Sequence, residues 1–124
     1  MARQNKNKVV LVTGAAGGLG RALCKRYGQY GAKIGLMDLD AVGVEALADE
    51  LAGQGIQAMA LPVDITDEAA CTHAVQQVVE RFGGLDLLIN NAGLTQRSAF
   101  VDTSVAVIRK VMDVNFFGAL YCTK

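Results

Sequence analysis

The stretch Thr13-Gly14-Ala15-Ala16-Gly17-Gly18-Leu19-Gly20 decides the fold of this chain. It follows a short apolar run rich in β-branched residues, Lys8–Thr13, and precedes a helical pattern from Leu19 to Tyr30. A strand that passes through a glycine-rich turn into a helix is typical of a nucleotide-binding βα unit. The glycines are spaced as T-G-x-x-x-G-x-G and not as G-x-G-x-x-G, since position 23 is Leu.

The rest of the chain repeats the alternation of strand and helix. Further strands are predicted at Lys33–Asp38, Ala58–Val63 and Leu85–Asn90, and further helices at Ala41–Ala52, Asp67–Phe82 and from Thr103 to at least Thr123. Apolar strands that alternate with helices predict a parallel sheet covered on both faces. Right-handed crossovers then give a Rossmann-type, doubly wound α/β fold, with residues 1–124 as one domain.

Composition excludes several classes of protein. The 12 Lys and Arg residues balance 12 Asp and Glu, which argues against nucleic acid or a membrane surface as the main partner. The apolar run Val9–Val12 is too short for a signal peptide, and no stretch approaches the roughly 18 apolar residues of a membrane span. Three widely spaced cysteines and one histidine predict no metal site and indicate reduced thiols in the cytoplasm.

The glycine loop predicts a binding site for the pyrophosphate of a dinucleotide. A helix N-terminus carries unpaired N–H groups and a partial positive charge, both of which favour a phosphate. Gly14, Gly18 and Gly20 would allow a sharp turn and a close approach of the backbone to that group. The structural alternative is a tight turn that only serves close packing of the helix.

Asp38, at the end of the second predicted strand, is the candidate for the adenosine ribose. A carboxylate there can accept hydrogen bonds from the ribose hydroxyls and would repel a 2′-phosphate. Because the next residue is Leu39 and not Arg, the sequence favours NAD over NADP. Alternatively, Asp38 or Asp40 caps the following helix, a role for which Asp40 is better placed. Asp64 follows the third strand. For this residue, a structural role as a turn or cap residue before the helix at Asp67 is about as probable as a role at the cofactor.

With Asn90-Asn91-Ala92-Gly93 the sequence resembles the short-chain dehydrogenase/reductase family, from about Lys8 to Lys124. The resemblance rests on T-G-x-x-x-G-x-G, Asp38, Asp64-Ile65, N-N-A-G and Asn115, which follow one another in the family's order. It implies an NAD-dependent oxidoreductase that transfers hydride between nicotinamide and a small secondary alcohol or ketone. It also implies a homodimer or homotetramer.

The resemblance assigns roles to single residues. Gly14, Gly18, Leu19 and Gly20 would line the pyrophosphate and nicotinamide side, Asp64 and Ile65 would lie along the adenine, and Asn91, Ala92 and Gly93 would pass beside the cofactor ribose. Asn115 would be the asparagine of the family's Asn-Ser-Tyr-Lys catalytic set. An amide on the apolar stripe of a predicted helix fits that role, although a structural amide bonded to nearby backbone would leave the same pattern.

The last residues do not complete the catalytic set. The family's tyrosine and lysine form a Y-x-x-x-K pair on a helix beyond one more strand, whereas Tyr121 and Lys124 have only two residues between them and share the predicted helix of Asn115. We therefore interpret both as ordinary helix residues and expect a half-domain that is incomplete at its C-terminus and inactive alone. A non-catalytic NAD-binding module, or a dehydratase or epimerase on the same scaffold, is the alternative.

Overall fold

The computed structural model describes residues 7–91, which form four strands and three helices in strict alternation. In chain order these are β1 (Val9–Thr13), α1 (Gly18–Gln29), β2 (Lys33–Asp38), α2 (Ala41–Gly53), β3 (Ala58–Pro62), α3 (Glu68–Phe82) and β4 (Leu87–Ile89). The predicted elements of this region are confirmed, although β4 is shorter than predicted. The predicted last helix, and with it Asn115, lies outside the described residues, as do Ala92 and Gly93.

The strands form one parallel sheet in the order β3-β2-β1-β4. Thr13 of β1 lies opposite Met37 of β2 on one side, and Val12 lies opposite Ile89 of β4 on the other. The chain builds outward from β1 to β3 and then returns to the far side of β1. The point where the strand order reverses therefore lies between β1 and β4, and in open α/β sheets such a point is where ligands bind. The predicted Rossmann-type half is confirmed.

Both faces of the sheet are buried, which explains why the strands are apolar throughout. Val10 and Val12 of β1 lie in a cluster on the side of α1 and α2, and Val9 and Leu11 lie in a second cluster on the side of α3. Helices α2 and α3 bury the apolar stripes that their helical periodicity predicts. These are Val44, Leu47 and Leu51 from α2, and Cys71, Ala74 and Val78 from α3.

Helix α1 packs chiefly through small residues, although Tyr27 also packs against the cluster on its side. Its buried residues are Gly20, Cys24 and Gly28, whereas Leu19 is 67% exposed. A Cβ atom at Gly28 would lie 2.8 Å from Ile56, so the helix lies too close to its neighbours for a larger residue there. Helical spacing correctly predicts α1, but small residues mark the face that packs.

None of the helices within residues 7–91 is long and apolar enough to cross a lipid bilayer. The same residues bring together no group of three or more His, Cys, Asp or Glu side chains that could hold a metal ion.

Candidate functional site

The candidate site residues of the described region follow the carboxyl ends of the four strands. Gly14 follows β1, Asp38 ends β2, Asp64 follows β3 and Asn91 follows β4. Because the strands are parallel, these ends share one edge of the sheet. Hydrogen bonds join the glycine loop directly to Asp38 and to Asn91, whereas Asp64 bonds to residues of its own turn.

The glycines of the loop after β1 serve different purposes. Gly14 has a φ of +67°, a left-handed conformation that glycine adopts without strain, and its carbonyl oxygen accepts a hydrogen bond of 3.2 Å from Gly17 N. A Cβ atom at Gly20 would collide with that same Gly14 carbonyl oxygen. At Gly18, in contrast, a Cβ atom would meet none of the described residues within 4 Å beyond its own turn of backbone. Packing among residues 7–91 therefore requires Gly14 and Gly20 but not Gly18.

The helix that follows this loop begins without a side-chain cap. Asp40 caps α2 by accepting a 3.0 Å hydrogen bond from Gly43 N, and Asp67 caps α3 by accepting one of 3.1 Å from Ala70 N. Helix α1 begins after Gly17, which has no side chain to offer. Among the helices between residues 7 and 91, α1 therefore differs from α2 and α3, because no side chain caps its N-terminal N–H groups. Its partial positive charge lies at the point where the strand order reverses.

Long-range hydrogen bonds hold the loop in place from both sides. Ala15 N donates to Met37 O at 3.1 Å, and Ala16 N donates to Asp38 Oδ2 at 2.9 Å. From the opposite side, Asn91 Nδ2 donates to Gly14 O at 3.2 Å. The backbone of the loop is therefore anchored to the ends of both neighbouring strands of β1.

Asp38 and Asp40 divide the two roles that the sequence left open. Asp40 is the N-cap of α2, as its position suggested. The partly buried carboxylate of Asp38 accepts from Ala16 N through one oxygen and from Asp40 N, at 2.9 Å, through the other. Leu39 between them is 68% exposed.

Asp64 forms a turn, which is one of the two readings that the sequence left equal. Its Oδ1 accepts from Thr66 N at 2.9 Å and from Thr66 Oγ1 at 2.7 Å, just before the cap of α3 at Asp67. Ile65 is 8% exposed and packs in the cluster on the side of α3. A place for both residues along the adenine of a cofactor stays a prediction.

Two residues that join β1 to β4, Thr13 at the carboxyl ends and Asp86 at the amino ends, were not assigned from the sequence. Thr13, which is 2% exposed, accepts a 3.0 Å hydrogen bond from Asn91 N and donates one of 3.4 Å to Ile89 O. Asp86 Oδ2 accepts from Val9 N at 2.8 Å and so joins the start of β4 to the start of β1. A buried hydroxyl needs a partner, so Thr13 carried a detectable signal, whereas no sequence pattern identifies the partner of Asp86.

The buried thiol on α1 is not a candidate nucleophile. Burial raises the pKa of Cys24 from 9.0 to about 12, and the smaller effects of its backbone hydrogen bond and of Arg21 do not offset it. Because the thiolate is the reactive form, a thiol that stays protonated at neutral pH is inert.

Comparison with known proteins bears directly on this arrangement. The family model described as short chain dehydrogenase matches residues 8–124. This chain belongs to the short chain dehydrogenase family. The predicted family is thereby confirmed, and the enzymes of this family are oxidoreductases.

Relatives of this chain include proteins from animals and bacteria. Dehydrogenase/reductase SDR family member 7B of Mus musculus is 41% identical over 123 residues, which cover 96% of this chain and 38% of the relative. Meso-2,3-butanediol dehydrogenase of Serratia marcescens is 35% identical over 118 residues, which cover 95% of this chain and 46% of the relative. The dehydrogenase chain therefore spans less than half the length of these relatives.

Solved structures confirm the fold of this chain. A 3-ketoacyl-(acyl-carrier-protein) reductase from Brucella melitensis, complexed with NADH, superposes with a TM-score of 0.89 at 33% identity and 95% coverage of this chain. A short chain dehydrogenase from Mycobacterium smegmatis gives 0.91 at 34% identity, again over 95% of this chain. The matches cover 48% and 50% of those two chains.

Proposed function

We propose that the protein is an NAD-dependent oxidoreductase that transfers hydride between nicotinamide and a small secondary alcohol or ketone. One observation carries this proposal: a glycine loop, anchored from both sides, leads into an uncapped helix at the point where the strand order reverses. The relatives support it, since one is a butanediol dehydrogenase and one solved reductase is complexed with NADH.

The loop suits the pyrophosphate of a dinucleotide. A phosphate is stabilised by N–H groups and positive partial charge at a helix N-terminus. Gly18 is the first residue of α1, and among residues 7–91 nothing beyond its own turn lies within 4 Å of where its Cβ atom would stand. This clearance supports access of a ligand to the backbone there. We assign Gly14, Gly18, Leu19 and Gly20 to the pyrophosphate and nicotinamide side of the cofactor.

NAD is the preferred form of the cofactor in this proposal. Asp38 ends β2 beside the loop, and its carboxylate retains further lone pairs for the ribose hydroxyls beyond the two N–H groups that it already accepts. The negative charge of a 2′-phosphate would be repelled by the carboxylates of Asp38 and Asp40. Asn91, which holds Gly14, belongs to the side of the nicotinamide ribose together with Ala92 and Gly93.

In the reaction, the nicotinamide ring supplies or accepts the hydride. The loop residues bind and orient the cofactor. We assign to Asn115 the positioning of a water molecule in a proton relay. The family's serine, tyrosine and lysine find no matching positions in this chain, so we expect residues 1–124 alone to be inactive and proton transfer to need further residues of the full-length protein.

Cofactor binding and turnover by the full-length protein test the proposal. We expect NADH to bind at least about tenfold more tightly than NADPH, a difference of ~1.4 kcal/mol, in a titration followed by cofactor fluorescence. We also expect NAD to be reduced in the presence of secondary alcohols. Binding of neither cofactor would overturn the proposal, and tighter binding of NADPH would overturn the role of Asp38. Binding without turnover on any alcohol or ketone would favour the non-catalytic module.

The surroundings of the protein are proposed from its thiols and from its family. Cys24 and Cys71 are both buried as thiols, which suits a reducing compartment, so we propose a cytoplasmic location. A homodimer or homotetramer is proposed from the family resemblance alone, and the size of particles in solution would test it.

A further inference from the structure

We propose that Asp38 is a positioning residue for the glycine loop, so that the carboxylate that selects the cofactor's ribose also sets the loop that binds its pyrophosphate. This inference rests on the proposed function, because it concerns the same cofactor site. It assigns Asp38 a role beyond a ribose contact. It also predicts that affinity for the two halves of the adenosine diphosphate group is linked through one side chain.

The first support is the bond between Asp38 and the loop. Asp38 Oδ2 accepts from Ala16 N at 2.9 Å across a sequence separation of 22 residues. The neighbouring amide of Ala15 bonds instead to the backbone carbonyl of Met37 at 3.1 Å. A substitution at position 38 would therefore remove the first anchor and leave the second. Hydrogen bonds to a carboxylate are stronger than neutral ones, so this anchor is the more costly of the two to lose.

The second support is a closed ring of contacts between the loop and the start of α2. Asp38 Oδ1 accepts from Asp40 N at 2.9 Å, and Asp40 Oδ1 accepts from Gly43 N at 3.0 Å. A Cβ atom at Gly43 would lie 2.9 Å from the Cβ atom of Ala16, so the first turn of α2 packs directly beside the loop. Asp38 thus connects the loop to the helix that supports its flank.

The consequence concerns a ligand that never touches Asp38. Donors that are already in place bind an anion more tightly than donors that must first be ordered. Without its carboxylate anchor, the segment at Ala16 gains freedom that pyrophosphate binding has to remove. If Asp38 only contacted the ribose, its removal would instead leave pyrophosphate binding unchanged, or strengthen it through the loss of a negative charge.

The test compares two partial ligands on the full-length protein, inorganic pyrophosphate and adenosine. Each displaces NADH in a fluorescence titration, and calorimetry measures pyrophosphate directly if a variant no longer binds NADH. We expect Asp38→Ala to weaken both ligands, pyrophosphate by about tenfold, the value of one hydrogen bond to a charged group. Asp40→Asn is the matched control, because it removes a neighbouring charge and keeps a good cap. For that control we expect pyrophosphate affinity within about twofold of the wild type.

Amide hydrogen exchange supplies a second readout and separates local loosening from general loss of stability. In the wild type we expect the Ala16 amide to be protected like that of Ala15. In Asp38→Ala we expect Ala16 and Asp40, the two amides that donate to this carboxylate, to lose protection while Ala15 keeps it. The proposal is overturned if the wild-type Ala16 amide exchanges freely, or if Asp38→Ala weakens adenosine alone and binds pyrophosphate as Asp40→Asn does. A wild-type protein that binds neither NADH nor pyrophosphate would overturn the proposed function as well.

Discussion

At the scale of single residues, Gly18 and Gly20 differ in what their missing side chains leave room for. Gly20 faces its own protein, because a Cβ atom there would overlap the carbonyl oxygen of Gly14. A Cβ atom at Gly18 would meet no described residue within 4 Å beyond its own turn. The two glycines belong to one motif in the sequence, yet packing within the described part of the chain requires only one of them.

Gly20→Ala tests the packing requirement. We expect the free energy of unfolding to fall by about 1–3 kcal/mol, the usual cost of inserting a methyl group into a site without room. The backbone of Gly14 would have to move, and α1 would have to shift away from the sheet. Denaturant unfolding of the wild type and the variant measures the difference.

Gly18→Ala is the control in the same turn. Because nothing opposes its methyl group and Ala favours a helix, we expect stability to be unchanged or to rise by up to about 1 kcal/mol. NADH affinity should fall, since the methyl group would occupy the space proposed for the pyrophosphate. Equal losses of stability in the two variants would contradict the distinction between these glycines.

The thiol of Cys24 predicts a pH dependence of stability. Its pKa is raised from 9.0 to about 12 because burial disfavours the thiolate. The unfolded chain therefore loses this proton above about pH 9, while the folded protein keeps it until about pH 12. The contribution is fully present below pH 9, and the free energy of unfolding falls as the pH rises above it.

Urea unfolding at about pH 8 and about pH 10 checks this dependence, with Cys24→Ala as the control. Other groups titrate alike in both proteins, so their effects cancel in the difference. Between the lower and the higher pH, the free energy of unfolding should fall more for the wild type than for Cys24→Ala. Parallel behaviour would show that the thiolate of the folded protein is not disfavoured.

At the scale of elements, the hydroxyl group of Thr13 links the carboxyl end of β1 to the residues at the end of β4. Thr13 Oγ1 accepts from Asn91 N and donates to Ile89 O, while Asn91 reaches Gly14 through its side chain. Thr13→Val keeps the shape and removes both hydrogen bonds. We expect the free energy of unfolding to fall by about 0.5–1.5 kcal/mol, because the partly buried Asn91 amide loses one of its two acceptors and keeps Ile89 O. Thermal and urea unfolding measure the loss.

Thr13→Ser is the matched control for the junction. It keeps the hydroxyl and removes one methyl group, which costs about 0.8 kcal/mol. Exchange of the Asn91 amide should accelerate in Thr13→Val and not in Thr13→Ser. If the serine variant is the less stable of the two, packing of the methyl group matters more than the hydrogen bonds.

The elements themselves were predictable because their signals are local. The periodicity of Val44, Leu47 and Leu51 identifies both α2 and its buried face. In α1 the buried residues are Gly20, Cys24 and Gly28 while Leu19 is exposed, so the spacing of large apolar residues does not by itself identify the packed face. The close approach at Gly28 depends on Ile56, which is remote in sequence.

At the scale of the whole molecule, the described sheet ends at β4. Leu87 of β4 is 40% exposed, and the strand pairs with β1 on one side. An apolar strand at the edge of a sheet can pair with another chain. We therefore expect residues 1–124, expressed alone, to be marginally stable or to self-associate, as measured by sedimentation over a range of concentrations. A cooperative melt of a monomer would contradict this.

Leu87→Lys tests whether the β4 edge is responsible. A lysine on an edge strand opposes pairing with a second chain, so self-association should weaken. Val42→Lys, on α2 at a residue that is 79% exposed, is the control for added charge and lost apolar surface. An equal effect of the two substitutions would place the contact elsewhere.

The sequence by itself determined the fold class, the alternation of elements and the position of the glycine loop. Residues within a few positions of each other carry these signals, as in Gly14 to Gly20 and in the stripe of α2. The capping role of Asp40 belongs with them, because its partner Gly43 is three residues away.

Only the tertiary structure decided the strand order β3-β2-β1-β4 and the bonds that assemble the site. Asp38 meets Ala16 over 22 residues, and Asn91 meets Thr13 over 78. No local pattern specifies such partners, because each contact exists only once the sheet has brought distant strand ends to one edge. The sequence could nominate Asp38 for the ribose, but its hold on the glycine loop arises from the packing of β2 beside β1.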